Sequence, residues 1–188
     1  VIDSGIDLNH PFFGPDSDGD GIADRIVYNY DFAPGAIDRG EYDQKILAED
    51  TLGHGTHVAG IALSGDAIYQ GIAPEADIIA LKVFPDFLNK TNDEVIERAL
   101  QEVVRIQKQY NVVAVNMSVG QSNNLSRQLK KHRWKDELSA LARMGVIVNV
   151  AAGNEYAHFD PTEGMSGWAM LPKTIDVGSV QWTSESAA

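Results

Sequence analysis

Short runs rich in valine and isoleucine alternate along this 188-residue chain with segments of helical periodicity. The runs do not alternate strictly between apolar and polar residues, a pattern typical of strands that are buried on both faces of a parallel sheet. Because parallel strands need crossover connections, the order predicts a three-layer αβα fold around a mostly parallel central sheet. The predicted strands cover residues 1–3, 26–31, 78–83, 112–117, 146–151 and 174–178.

Helix signals lie between these runs. Residues 91–94, Thr-Asn-Asp-Glu, are typical of a capping box, and an apolar stripe follows them as far as Tyr110. A second helix is predicted over residues 125–144, with Gly145 as its stop. A shorter helical segment begins at His54 and is preceded by Gly53.

Composition narrows the class of protein. The chain carries 44% apolar and 22% charged residues, which is ordinary for one globular domain. The formal charge of -12 argues against nucleic acid and anionic membrane surfaces as partners. No apolar run is long enough to predict a membrane span, and the absence of cysteine excludes disulfides and thiolate chemistry. Both ends resemble the interior of a domain, so residues 1–188 are expected to be a partial domain, truncated at both ends.

Three polar residues stand where chemistry is expected in such a fold. Asp3 closes the first strand, Asn154 follows the run that ends in Ala-Ala-Gly, and His54 opens a helical segment. The carboxyl ends of parallel strands are where ligands bind. A carboxylate, an imidazole and an amide are the residue types for acyl transfer: an orienting acid, a general base and an oxyanion donor. Each residue alone also fits a turn, a cap or a structural loop, and the residues by themselves leave that alternative open.

Four motifs, in order along the chain, resemble those of the subtilase family of serine proteases. Val-Ile-Asp-Ser-Gly-Ile at residues 1–6 looks like the aspartate motif, and His-Gly-Thr-His-Val-Ala-Gly at residues 54–60 matches the histidine motif in full. Asn-Met-Ser-Val-Gly at residues 116–120 is similar to the substrate-binding strand, and Ala-Ala-Gly-Asn at residues 151–154 resembles the oxyanion segment. The resemblance implies a subtilisin-like fold and a serine endopeptidase that acts on extended polypeptides.

The resemblance also implies residue roles. Asp3 would be the aspartate of an Asp-His-Ser triad, His54 the general base, and Asn154 the donor to the oxyanion. Ser118, Val119 and Gly120 would form an edge that pairs with the peptide substrate, with Ala152 and Gly153 across the S1 pocket.

The serine motif of the family, Gly-Thr-Ser-Met-Ala, is absent from the sequence. Its nearest likeness, Gly-Met-Ser-Gly at residues 164–167, comes too soon after Asn154 to be that motif. The nucleophilic serine is therefore expected beyond the end of this chain, and residues 1–188 alone are expected to be inactive. The alternative is a catalytically inactive, subtilase-like domain that binds peptide or calcium.

An acidic segment at residues 16–24 has the spacing of a calcium loop. Carboxylates alternate along it, and the sixth position is Gly21, which suits the sharp turn of such loops. The competing interpretation is a solvated acidic turn, but closely spaced carboxylates repel one another unless a cation compensates them. We predict a structural calcium ion in a loop insertion at residues 16–24. The predicted ligands are Asp16, Asp18, Asp20, Ile22 through its carbonyl, and Asp24.

The remaining expectations concern partners and location. A polypeptide substrate is implied by the resemblance, and a propeptide or proteinaceous inhibitor is a further expected partner. An extracellular or cell-envelope location follows from the resemblance together with the predicted calcium loop.

Overall fold

The computed structural model describes residues 1–33, 47–86, 88–123, 125–127, 132–154 and 164–179. In these residues the order of elements follows the alternation that the sequence predicts. The strands are β1 (Ile2–Asp3), β2 (Ile26–Asp31), β3 (Ile78–Lys82), β4 (Ala114–Met117), β5 (Ile147–Ala151) and β6 (Ile175–Val177). The α-helices are α1 (His54–Leu63), α2 (Asp93–Tyr110) and α3 (Lys135–Arg143), and a 3-10 helix covers Pro11–Phe13.

The strands form two three-stranded sheets, ordered β1-β3-β2 and β4-β5-β6, in which every described pairing is parallel. β1 contacts β4, so the strands follow the order 2-3-1-4-5-6. The order along the chain reverses between β1 and β4, and in α/β sheets such a reversal opens a crevice at the carboxyl ends of the strands. The α/β fold with a mostly parallel sheet is confirmed, and each of the six predicted strands lies within two residues of its predicted bounds.

Two hydrophobic clusters give the fold its three layers. One contains the apolar stripes of α2 and α3 and side chains from β1, β3, β4 and β5. The other contains Phe13 of the 3-10 helix, Ala59 of α1 and the β3 residues Ile78 and Ala80. Residues of β3 contribute to both clusters because successive side chains of a strand point to opposite faces. Helices therefore cover both faces of the sheet.

The helix predictions are right in kind and wrong in two bounds. α2 ends at Tyr110 as predicted, but its N-cap is Asn92 and not Thr91: Asn92 Oδ1 accepts from the amides of Glu94 and Val95 at 3.0 and 3.1 Å. α3 begins at Lys135, not at residue 125, and residues 128–131 lie outside the described part of the chain. Leu125 instead pairs with Met165 in an antiparallel bridge. The predicted stop at Gly145 is confirmed by its positive φ of 77°.

The longest described helix, α2, has 18 residues and carries charged side chains along its exposed face. Among the residues that the structure describes, no helix combines the length and the apolar character needed to span a bilayer.

Candidate active site

A cleft of about 680 Å³ opens where the strand order reverses, at the carboxyl ends of β1, β4 and β5. It collects segments that are far apart in sequence, because parallel strands all end at the same edge of the sheet. Residues from seven segments line it. They are Asp3 and Ser4; His54; Phe84; residues 89–93; residues 118–122; Ala151, Gly153 and Asn154; and Trp168.

Asp3 and His54 are in contact in this cleft. Asp3 Oδ1 lies 2.6 Å from His54 Nδ1, while the side chain of Asp3 is 1% exposed and that of His54 is 57% exposed. Burial raises the pKa of the Asp3 carboxyl, and its hydrogen bonds with His54 and the amide of Ser4 lower it, with a net shift upward. The carboxylate is thus held inside the protein, and the imidazole that it contacts faces the open cleft.

Glycines allow α1 to approach β1 this closely. Gly53 caps the helix in the left-handed region, with φ of 80°, and turns the chain so that His54 is its first residue. A Cβ at Gly55 would lie 2.1 Å from the carbonyl oxygen of Gly5 and 3.1 Å from Asp3 Cβ. Only a residue without a side chain fits between the first turn of α1 and the end of β1. Gly55, the second residue of the histidine motif, is therefore required by the close approach that brings Asp3 and His54 together.

Asn154 and Gly153 line the cleft opposite these two residues. Gly153 has φ of 99°, and a Cβ there would meet Ser166 Cβ at 2.9 Å, so this position also demands glycine. Ala152, predicted with Gly153 to lie across the S1 pocket, has its backbone engaged elsewhere. Its amide donates to Val177 O and its carbonyl accepts from the amide of Ser166, both at 2.8 Å. Ala151 is the alanine that contributes to the cleft lining.

The predicted substrate edge follows β4 and borders the same cleft. Ser118, Val119 and Gly120 all line it, although the Val119 side chain is buried in the core. The Ser118 hydroxyl accepts a hydrogen bond from Asn116 Nδ2 at 3.0 Å. A Cβ at Gly120 would lie 3.6 Å from Gly153 Cα, so the backbones after β4 and β5 are close neighbours. The two predicted walls of the peptide site are thus brought together.

Ser166 does not take the position of a nucleophile. Its side chain is buried, and its hydroxyl accepts from the amide of Gln121 at 2.8 Å. It packs behind Gly120 and Gly153, where it supports the walls of the cleft. This agrees with the prediction that the Gly-Met-Ser-Gly segment is not a serine motif.

Sequence reasoning missed several residues around the site. Phe84 and residues 89–93 line the cleft, and the capping box at residues 91–94 indicates a helix start there and not a site. Asp50 accepts hydrogen bonds from the turn that precedes α1 and from the first turn of the helix. An acidic residue shortly before a helix start is a recognisable capping signal, and it could have been found at Asp50.

The acidic loop brings some of its predicted ligands together. The carboxylates of Asp16, Asp18 and Asp24 each place an oxygen within 4.8 Å of the others. Asp16 also accepts from the amides of Gly19, Asp20 and Gly21, which wraps the loop around its carboxylate. Asp20 Oδ1 accepts from the amide of Ile22 at 2.9 Å and is outside this group. Hydrogen bonds from the Ser17 hydroxyl and amide lower the pKa of Asp24, which favours its charged form.

Comparison with known proteins agrees with the geometry. The family model described as the subtilase family matches residues 1–188. The chain is 29% identical over 187 residues to the major intracellular serine protease of Bacillus subtilis (strain 168), covering 98% of this chain and 51% of that protein. It is also 29% identical over 175 residues to a subtilisin of Bacillus sp. (strain TA39), covering 89% of this chain and 35% of that protein. The chain thus spans about half or less of these relatives.

The solved structure of the S41 psychrophilic protease is similar to this fold. The TM-score is 0.58 at 28% sequence identity, over 82% of this chain and 45% of that one. The family model covers all four motifs. The chain belongs to the subtilase family.

Proposed function

We propose that this chain forms the part of a serine endopeptidase that carries the orienting aspartate, the general base and the oxyanion donor. The observation that carries the proposal is the 2.6 Å contact between Asp3 Oδ1 and His54 Nδ1 at the base of a cleft that Asn154 also lines. A buried carboxylate against one imidazole nitrogen leaves the other nitrogen for proton transfer. The nucleophilic serine is proposed to come from a segment of the protease outside residues 1–188.

The proposed chemistry assigns one task to each group. His54 takes the proton from the serine hydroxyl as the oxygen attacks the peptide carbonyl, and it then gives that proton to the leaving amine. Asp3 accepts the hydrogen bond from His54 Nδ1–H, which selects the tautomer and stabilises the imidazolium. The side-chain amide of Asn154 donates to the negative oxygen of the tetrahedral intermediate.

The proposed substrate is an extended polypeptide that lies along the edge after β4. Ser118 and Gly120 are partly or fully accessible there, and Gly153 forms the facing wall. Main-chain pairing with such an edge gives affinity without side-chain preference, and pockets then select side chains. A propeptide or proteinaceous inhibitor is proposed to occupy the same edge, since it would present the same extended backbone.

We also propose that a calcium ion binds to the loop at residues 16–24. The support is the convergence of the Asp16, Asp18 and Asp24 carboxylates, since oxygen ligands of this type suit calcium. Asp20 and the Ile22 carbonyl complete the proposed ligand set. The ion would neutralise carboxylates that otherwise repel one another and would stiffen a loop that packs Ile22 and Ala23 into the core. It takes no part in the proposed hydrolysis.

An extracellular or cell-envelope location is proposed on the strength of the calcium loop, because calcium is abundant outside the cell. The Bacillus subtilis relative is an intracellular protease by name, so membership of the family does not decide the location. Fractionation of the source cells, followed by immunodetection of the full-length protein, tests this proposal directly.

Covalent labelling of the full-length protein with a serine-directed fluorophosphonate tests the endopeptidase proposal. We expect labelling of the unaltered protein and its loss in His54→Ala. His57→Ala is the matched control, because His57 is exposed in the same helix and lines a separate groove that His54 does not line. Failure of the folded, matured protein to label would favour the inactive, peptide-binding alternative.

A further inference from the structure

Asp50, four residues before His54, accepts more hydrogen bonds than its position in an ordinary turn requires. Its Oδ1 accepts from the Ser4 hydroxyl at 2.8 Å and from the amides of Leu52 and Gly53 at 3.0 and 2.9 Å. Its Oδ2 accepts from the amide and the hydroxyl of Thr56 at 2.9 and 2.6 Å. One carboxylate thus joins the end of β1, the turn before α1 and the first turn of α1.

The groups bonded to Asp50 are the chain neighbours of the proposed catalytic pair. Ser4 follows Asp3 directly, and Gly53 precedes His54. The Ser4 hydroxyl also accepts from the amide of Gly55 at 2.8 Å, which closes a second link between β1 and α1. Hydrogen bonds through Ser4 and Asp50 therefore connect the residue after Asp3 with the residues on either side of His54.

The N-terminus of α1 depends on Asp50 for capping. Its N-cap is Gly53, which has no side chain to accept from the first amides of the helix. Asp50 accepts from the Thr56 amide in its place, and a carboxylate in this position also interacts favourably with the helix dipole. Burial raises the pKa of Asp50, but the hydrogen bonds from Thr56, Ser4 and Gly53 together lower it by more. The pKa of Asp50 therefore lies below the ordinary value. Asp50 is consequently an anion at neutral pH.

The chain on the other side of Asp50 is anchored as well. Lys82, at the end of β3, is 2% exposed, and its Nζ donates to the Glu49 carbonyl at 2.6 Å and to Asp86 Oδ1 at 2.5 Å. This contact fixes the backbone immediately before Asp50 against the sheet. The backbone position of Asp50 is therefore fixed, which lets its carboxylate restrain α1.

We propose that Asp50 is a positioning residue for the Asp3–His54 pair, acting by locking the first turn of α1 against the end of β1. The inference rests on the proposed function of that pair as acid and base. Because a misplacement of about 1 Å costs about 10²-fold in rate, a carboxylate that fixes two elements to each other has a direct effect on turnover.

The test uses the full-length protein and the variant Asp50→Asn. An amide has one acceptor oxygen, so the variant cannot accept both from the Leu52 and Gly53 amides and from the Thr56 amide, and it loses its hold on the turn before α1 or on the first turn of α1. Asp66→Asn is the matched control: Asp66 follows α1, and its Oδ1 accepts from the amides of Ile68 and Tyr69 in the same manner. Ser4→Ala removes both the bond from Ser4 to Asp50 and the bond from the Gly55 amide to Ser4, but keeps the bonds from Asp50 to α1. It serves if Asp50→Asn does not fold.

Three quantities are measured: kcat and KM on a peptide substrate, the rate of fluorophosphonate labelling, and the low-field proton resonance of the His54–Asp3 hydrogen bond. We expect kcat and the labelling rate to fall by about tenfold or more in Asp50→Asn, with little change in KM, and the low-field resonance to shift or broaden. Asp66→Asn should leave all three unchanged.

Wild-type labelling rates and an unaltered resonance in folded Asp50→Asn, or in Ser4→Ala if that variant is used, would overturn the inference. If the unaltered protein itself does not react, the proposed endopeptidase function fails. The proton resonance then still decides whether Asp50 positions the pair, because it does not depend on a nucleophile.

Discussion

Asp3 Oδ1 lies 2.6 Å from His54 Nδ1, and the two side chains differ sharply in exposure, at 1% and 57%. The contact joins the last residue of β1 to the first residue of α1. It therefore depends on how closely a helix end approaches a strand end, and the predictions below test the groups that set or exploit that approach.

Asp3→Asn is expected to stabilise the fold at neutral pH while reducing activity by about 10⁴-fold. Burial raises the pKa of Asp3 above the ordinary value of 3.8, so the folded state binds this proton more tightly than the unfolded state. The resulting stability is fully present below the ordinary pKa and is lost as pH rises through the folded pKa. The asparagine variant does not ionise and avoids that loss.

Chemical denaturation of both proteins at about pH 3 and pH 7 measures this difference. The stability of Asp3→Asn relative to the unaltered protein should increase between the two pH values. Asp66→Asn, which alters a carboxylate outside the cleft, controls for a general effect of charge. A relative stability that decreases toward neutral pH would show that the hydrogen bonds of Asp3 outweigh its burial.

Gly55→Ala and Gly60→Ala place the same methyl group on the same helix with opposite expected results. The new Cβ at residue 55 would lie 2.1 Å from Gly5 O, and backbone cannot move aside cheaply, so we expect a loss of about 1–3 kcal/mol in unfolding free energy. Fluorophosphonate labelling should slow as α1 is pushed from β1. At residue 60 nothing lies within 4 Å, and alanine should gain up to about 1 kcal/mol. Equal effects on labelling in the two variants would contradict this account.

The sequence predicted the elements and the cleft well because both follow from local patterns. Strand ends can be read from apolar runs, and a parallel sheet brings those ends to one edge, so Asp3 and Asn154 could be placed at one edge from the sequence. The substrate role of the segment after β4 came only from the resemblance to the subtilase family. The start of α3 could not be found in this way. Leu125 is held by a bridge to Met165, a contact between residues that are distant in sequence, and this pairing overrides the local helical periodicity.

Hydrogen bonds between elements that are distant in sequence could not be predicted from the sequence either. The bond from Ser4 to Asp50 spans 46 residues, and nothing in either local sequence indicates it. The predicted N-cap of α2, Thr91, was wrong by one residue for the same reason. Thr91 and Asn92 are both good N-cap residues, and only the backbone geometry selects Asn92. Residue type limits which residues can cap a helix, and tertiary packing decides which of them does.

Gly153→Ala and Gly145→Ala separate backbone strain from damage to the cleft. Both glycines have positive φ, 99° and 77°, so alanine should cost about 1–2 kcal/mol of stability at either position. Only at Gly153 does the added Cβ meet a neighbour, Ser166 Cβ at 2.9 Å. We expect Gly153→Ala alone to lower kcat on a peptide substrate, because the shift displaces the adjacent Asn154. A comparable loss of kcat in Gly145→Ala would mean that global strain, not local geometry, controls the cleft.

Asp18→Asn distinguishes a calcium site from an acidic turn by reversing its effect on stability. In excess calcium the unaltered protein should gain stability by mass action, about 2.7 kcal/mol at a concentration of 100 times Kd, and the variant should gain much less. In a chelator the variant should be at least as stable as the unaltered protein, because it removes a negative charge from three converging carboxylates. The Asp18 oxygen that accepts from the amide of Asp20 can be replaced by the amide oxygen of asparagine, so the turn itself is preserved. Thermal denaturation in calcium, in magnesium and in a chelator measures the difference, with Asp66→Asn as the control. An effect of Asp18→Asn on stability that is independent of calcium would identify residues 16–24 as a solvated acidic turn.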